Sequence, residues 1–237
     1  MGFNWVGDEM ARVEAVLLDL EGTVVQMLYR FREAKRDVVN CLIQQCLPKD
    51  LFNPEDPTLK IFDKLRQYLD QTGKPHEFAR LKRECEAIID RYELEAAEGT
   101  SLIEGVVEAL TMLRQAGLKI ALVTNDGVKA TQRILERFSL HPFFDSVVTR
   151  EDVAGMKPSP EPILLALRRL SVLPENTVVV GDSGIDVEAA RLAGVLAVGV
   201  TSGLKDEGAL RSAGATHVIS SVTRLPALIH EIDAAKD

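Results

Sequence analysis

Val13-Glu14-Ala15-Val16-Leu17-Leu18 is a short apolar run that stops at an acidic, Gly-containing turn, the pattern of a buried parallel strand. From Gly105 onward a regular alternation sets in. Val106, Leu110 and Leu113 share one face of a predicted helix that ends before Gly117, and Ile120-Ala121-Leu122-Val123 follows as a strand. Further helices are predicted around Thr131 to Phe138, from Ser159-Pro160 with Ile163, Leu167 and Leu170 on one side, and from about Asp186 to Ala193, closed by Gly194. Strands are predicted at Ser146 to Val148, Thr177 to Val180 and Leu196 to Val200. A helix near Asp206 to Ala213, a short strand at His217 to Ile219 and a terminal helix complete the series. Strands separated by helices of this length imply an α/β fold, a parallel sheet with helices on both faces.

The stretch from about Leu28 to Thr100 breaks that rhythm. Its apolar residues recur at helical spacing, Ile61, Leu65 and Tyr68 in one run and Phe78, Leu81, Cys85, Ile88 and Tyr92 in another, punctuated by Pro48, Pro54, Pro57 and Gly73-Lys74-Pro75. No strand is predicted there. The expected organisation is a discontinuous α/β domain of residues 1–27 and 101–237, with a helical domain of residues 28–100 inserted after the first strand.

A chain of 237 residues that is 46% hydrophobic can bury a full core without staples. The formal net charge of -8 argues against a nucleic-acid or anionic-membrane partner, which needs a clustered basic footprint. Residues 28–100 hold 13 Lys/Arg against 14 Asp/Glu, so 7 of the 8 excess negative charges lie in the rest of the chain. An anionic substrate must therefore be attracted by local groups and a bound cation. Cys41, Cys46 and Cys85 lack metal-type pairing and fit reduced thiols. The opening segment MGFNWVGDEMARVE has no continuous apolar run, and no later stretch has the length of a membrane span, so a cytoplasmic protein is expected. His76, His141, His217 and His230 are scattered, and the pattern sets no oligomeric state.

In an open parallel sheet, ligands bind beyond the carboxyl ends of the strands. Three such ends are polar here: Asp19-Leu20-Glu21-Gly22-Thr23, Thr124-Asn125-Asp126, and Gly181-Asp182-Ser183-Gly184-Ile185-Asp186. Acids converging on one rim repel unless a cation joins them, and a site of few carboxylates without a His or Cys set suits Mg²⁺. Lys157, in Gly155-Met156-Lys157-Pro158, adds a positive charge before a helix that begins at the same end. Asp126, Ser159 and Ser183 are also read as helix caps.

Asp-x-Glu-Gly-Thr, Val-Thr-Asn, Lys-Pro and Gly-Asp-Ser-x-x-Asp, in that order and each at an element boundary, resemble the four motifs of the haloacid dehalogenase superfamily. The resemblance implies a Rossmann-like core, and the helical insertion resembles the cap of many members. It implies Asp19 as the nucleophile that becomes an aspartyl-phosphate and Glu21 as acid then base, its carbonyl also on the metal. Thr124 and the backbone of Asn125 would hold phosphoryl oxygens, and Lys157 would neutralise developing charge and restrain Asp19. Asp182 would complete the Mg²⁺ shell, with Asp186 ligating through water or orienting Lys157. Most such phosphatases carry Asp where Glu21 stands, and Glu resembles the smaller set that includes the enolase-phosphatases. An acid at this place argues against a true dehalogenase.

The activity implied is Mg²⁺-dependent hydrolysis of a phosphomonoester of a small phosphorylated metabolite. Two alternatives stand beside it. One is a phosphomutase of the β-phosphoglucomutase type, whose core motifs are alike; the other is a degenerate relative that binds Mg²⁺ and a phosphometabolite with weak or no catalysis.

Overall fold

A computed structural model describes residues 12–235. Its first strand, β1 (Ala15–Leu18), buries all four side chains, as a strand covered on both faces must. The other strands are β2 (Lys119–Val123), β3 (Ser146–Val148), β4 (Thr177–Gly181), β5 (Leu196–Val200) and β6 (His217–Ile219). Between β1 and β2 lie helices α1 (Phe31–Gln44), α2 (Thr58–Gln71), α3 (Phe78–Gly99) and α4 (Val106–Gln115). Then α5 (Val128–Arg137) precedes β3, α6 (Glu161–Leu170) precedes β4, α7 (Gly184–Leu192) precedes β5, α8 (Glu207–Ala213) precedes β6, and α9 (Leu225–Ala234) follows it. The α/β fold expected from the alternation is the one observed.

All strand pairs are parallel, in the order β3-β2-β1-β4-β5-β6. The chain runs outward from β1 through β2 to β3, then returns to lay β4 on the other side of β1. The crevice between β1 and β4 is thus the point where the strand order reverses, the usual ligand position in such sheets. Leu18 is level with Leu122 on one side and Val180 on the other, so the loops leaving β1, β2 and β4 start at one height.

Alternation along the strands feeds both faces. Ala15, Leu17, Val123 and Val179 pack with Ile163 and Leu167 of α6 and Val187 and Ala190 of α7. The intervening positions Val16, Leu18, Ile120, Leu122, Val178 and Val180 are equally buried, and α4 lies against β2. Gly117, at φ 82°, turns the chain out of α4 toward β2, a conformation that costs a residue with a Cβ about 1–2 kcal/mol.

The chain divides into two compact units, residues 28–99 and the remainder. Thr100 falls with the larger unit, one residue earlier than the sequence boundary, because its hydroxyl donates to Gln26 O (2.8 Å) and its carbonyl accepts from Arg137 Nη1 (2.8 Å). The smaller unit contains α1, α2 and α3 and no strand. Its core joins Val38 and Leu42 of α1, Ile61 and Leu65 of α2, and Leu81, Cys85 and Ile89 of α3. The buried stripe of α3 continues through Glu93 to Ala96, so Ile88 and Tyr92 of the predicted stripe lie at its margin. Tyr92 keeps its polar tip outward, donating to Asp37 Oδ2 at 2.8 Å.

Among the described residues, no helix is long and apolar enough to cross a membrane. Residues 1–11, which carry most of the expectation about a leader segment, lie outside the described residues.

Candidate active site

Asp19 extends the ladder one residue beyond β1, its N–H donating to Val180 O at 2.9 Å. Its side chain therefore emerges at the crevice. The turn that follows needs Gly22, at φ 76°, and a Cβ there would stand 2.6 Å from Asp182 Cγ. Asp182 lies directly beyond β4 and is 2% exposed. Asp186 sits in the first turn of α7, where Ser183 is the N-cap residue; Asp186 Oδ2 accepts from the Ser183 N–H (3.2 Å) and from its hydroxyl. Gly181 leaves room for that arrangement, since a Cβ on it would meet Asp186 Oδ2 at 2.6 Å.

Lys157 enters from the loop between β3 and α6 and is almost wholly buried. Its ammonium donates to Asp19 Oδ1 (2.6 Å), Asp186 Oδ1 (2.6 Å) and Val123 O (2.8 Å), which uses all three protons. The main chain of Lys157 is held as well: its N–H donates to Asn125 Oδ1 and its carbonyl accepts from Asn125 Nδ2, both at 2.9 Å. The Lys157–Pro158 peptide is cis.

Asp19, Asp182 and Asp186 each offer a carboxylate oxygen, and these atoms all lie within 4.8 Å of one another. The group of three carboxylates contains one ammonium, bonded to Asp19 and Asp186 but not to Asp182, which leaves two negative charges uncompensated if all three ionise. The titration behaviour reflects this shortage. Burial alone would make Lys157 a weaker base, but the Asp186 and Asp19 carboxylates outweigh it and hold the ammonium charged. Burial pushes the Asp19 carboxyl well above the ordinary carboxylate range against the pull of Lys157, with Asp186 and Asp182 adding to the rise. Asp182 is pushed up to about 6 by burial, then by Asp186. A divalent cation fits the donor set: the ligands are oxygens, the missing charge is two, and neither His nor Cys belongs to the group.

The remaining predicted residues occupy the same rim in other ways. Thr124 follows β2, its N–H donating to Val148 O (3.0 Å), and its hydroxyl accepts from the Asp126 N–H (3.1 Å). Asn125 spends its side chain on the Lys157 backbone. Glu21 is buried in the turn after Asp19 and stands outside the group of three carboxylates. Asp126 is not the cap of α5, whose N-cap residue is Gly127; its carbonyl accepts from Arg150 N at 3.1 Å. The Ser159 hydroxyl accepts from the Glu161 N–H (3.3 Å) at the start of α6.

Sequence reading passed over the loop after β5. There the Leu204 N–H donates to Asp182 Oδ2 (2.6 Å) and the Ser202 hydroxyl donates to Gly22 O (2.7 Å). The rule that picked out the other strand ends applies to β5 too, but Thr201-Ser202-Gly203-Leu204 carries no charge to draw attention.

Phosphoglycolate phosphatase of Salmonella typhimurium is 38% identical over 136 residues, covering 57% of this chain and 53% of that protein. The Escherichia coli K12 phosphoglycolate phosphatase is 38% identical over 117 residues, 49% of this chain and 46% of that one. The chain thus spans about half the length of the curated relatives it matches. Among solved structures, a hydrolase from Pseudomonas syringae superposes with a TM-score of 0.68 at 24% identity, over 92% of this chain and 99% of its own. A Thermotoga maritima chain with a provisional beta-phosphoglucomutase assignment gives 0.61 at 27% identity, over 93% and 100%. Residues 16–200 match the haloacid dehalogenase-like hydrolases, a span that contains every motif residue from Asp19 to Asp186, and the chain belongs to that family.

Proposed function

We propose that this chain is a Mg²⁺-dependent phosphatase acting on the monoester of a small phosphorylated metabolite through an aspartyl-phosphate on Asp19. The observation that carries the reading is the buried ammonium of Lys157 shared at 2.6 Å between Asp19 and Asp186, with the Asp182 carboxylate alongside and two negative charges left over. Asp19 and Asp182 would hold the ion together with the backbone carbonyl of Glu21, and Asp186 would reach it through water. When bound, Mg²⁺ supplies the positive charge that lets a phosphate dianion approach a carboxylate.

The chain's own groups then divide the work. Asp19 attacks phosphorus in line, forming an acyl phosphate as the ester P–O bond breaks. Glu21 gives its proton to the leaving oxygen and next takes one from the water that attacks the acyl phosphate, regenerating Asp19 and releasing inorganic phosphate. Thr124 and the Asn125 backbone hold the phosphoryl oxygens. Lys157 fixes the Asp19 carboxylate and offsets charge as it builds on the transferring group. Asp186, with one oxygen on Lys157 and the other on Ser183, anchors the lysine. The helical unit of residues 28–99 selects the leaving group as a cap.

The names of the curated relatives put 2-phosphoglycolate first in a panel of monoesters. Release of inorganic phosphate from that panel, with Mg²⁺ and with EDTA, tests the reading: turnover is expected only with Mg²⁺ and is lost in Asp19→Asn. Turnover that persists in EDTA, or in Asp19→Asn, rejects it. The likeness to the Thermotoga maritima chain supports a second reading, transfer of phosphate between hydroxyls of one sugar. Product analysis with a sugar phosphate separates the two, since only the mutase returns an isomeric sugar phosphate without net phosphate release.

A further inference from the structure

The loop after β5 touches two of the motif loops and holds no catalytic group of its own. Asp182 needs one of its oxygens facing Asp19 and Asp186, yet a carboxylate beyond a strand end can rotate about χ2 over a broad range. Three contacts remove that freedom. The Leu204 N–H takes Oδ2 at 2.6 Å, which pins the carboxylate from the side of that loop. Gly203 presses on the same carboxyl so closely that a Cβ would stand 2.6 Å from Asp182 Cγ. On the side of the nucleophile turn, Gly22 crowds the identical atom at the same distance. The Ser202 hydroxyl then joins the two walls, donating to Gly22 O at 2.7 Å.

We infer that Ser202 and Gly203 are positioning residues for the metal ligand Asp182: Gly203 and the Leu204 N–H fix the rotation of its carboxylate, and Ser202 ties that loop to the Asp19 turn so that the two ligands keep their spacing. The inference rests on the metal-site reading above. A residue behind a ligand acts on the affinity for the ion, because a ligand free to rotate must be immobilised when the ion binds. Ser202 stands outside the group of three carboxylates, and Gly203 has no side chain to offer a ligand. Gly203 has no positive φ, so its lack of a Cβ answers to space alone. The hydroxyl of Ser202, half-buried, is spent on a main-chain oxygen of a loop 180 residues away in sequence, a bond that local chain geometry does not require.

The test is Mn²⁺ binding to the whole chain, followed by electron paramagnetic resonance of the free ion, with no substrate present. Wild type is expected to bind one ion, and Asp182→Asn to lose it. Ser202→Ala is expected to weaken binding by about 10-fold and Gly203→Ala by up to about 100-fold, the range for residues behind a metal ligand. Ser202→Thr, which keeps the hydroxyl, retains the wild-type affinity. Melting of the metal-free protein should be nearly unmoved in Ser202→Ala, which separates positioning from general stability and keeps the test decisive if Gly203→Ala fails to fold. In turnover assays at saturating Mg²⁺ the Ser202→Ala variant should regain the wild-type kcat with its KM unchanged. A wild type that binds no Mn²⁺ overturns the metal reading and this inference with it. Binding by wild type that is lost in Asp182→Asn but unaltered in Ser202→Ala overturns the inference alone.

Discussion

Replacing Lys157 with methionine keeps most of the stem's volume and removes a charge that is 3% exposed and bonded to two carboxylates. Asp19 and Asp186 would then face each other with no cation between them. Two unit charges about 4 Å apart interact by about 4 kcal/mol at an effective dielectric near 20. That agrees with the roughly 3–5 kcal/mol lost when one partner of a buried pair is removed. The two lost attractions do not simply add, since Asp19 already binds a proton readily and can neutralise itself. The expected loss of unfolding free energy is therefore about 3–5 kcal/mol in EDTA at pH 7. Urea unfolding followed by circular dichroism measures it, and the midpoint should move with an unchanged slope. Added Mg²⁺ should recover part of the loss in the variant by replacing the missing positive charge. Phosphate release should fall by about 10²–10³-fold, the usual cost of one preorganised charge partner. A metal-free Lys157→Met protein within about 1 kcal/mol of wild type would refute the reasoning, because a surface pair costs that little.

Metal-free protein should show an acid-side gain in stability that is smaller in Asp182→Asn, where Asp19 still contributes to it. Asp182 is pushed up to about 6 from 3.8, so the folded state holds its proton more tightly than the unfolded chain. Its penalty is complete above about pH 6 and relieved as pH falls toward 4, worth at most about 3 kcal/mol, and Mg²⁺ should abolish the difference. An Asp182→Asn curve parallel to wild type from pH 4 to pH 7 would contradict this. Among the thiols, exposed Cys46 should react with iodoacetamide at pH 8, while Cys85, pushed up to about 12 by burial and then by Cys41, should react only in denaturant. Mass mapping of the labelled sites decides it, and equal labelling of both in the folded protein would contradict the burial.

Much of the larger unit was legible because a buried parallel strand has a plain signature. Thr177-Val178-Val179-Val180 has no other reading between two helical stretches, and the structure extends it only to Gly181. The candidate carboxylates were legible for a related reason: Asp19 and Asp182 are charges set at the ends of apolar-rich, fully buried strands, where solvation cannot explain them. The smaller unit was less legible. α1 hides its apolar face among Arg32, Lys35, Arg36 and Asp37, and on α3 both Ile88 and Ile89 suit a helical stripe. Only the neighbouring helices decide that Ile89 turns inward. The Ser202–Leu204 contacts escaped because they act through a backbone N–H, a serine and a glycine, and serine and glycine are ordinary in any loop.

The position of β1 at the middle of the sheet carries a consequence for biosynthesis. Its two partners begin at Lys119 and Thr177, so about a hundred residues or more must leave the ribosome before either edge of Ala15–Leu18 can pair. All the while, the segment is an uncharged apolar stretch with unpaired amides, the kind that sticks to its own copies. The helices of residues 28–99 are made before β2, and their core is drawn from that stretch alone, so it can close without either partner of β1. Nascent chains stalled before Lys119 should therefore carry a structured helical segment and a strand still open to chaperones.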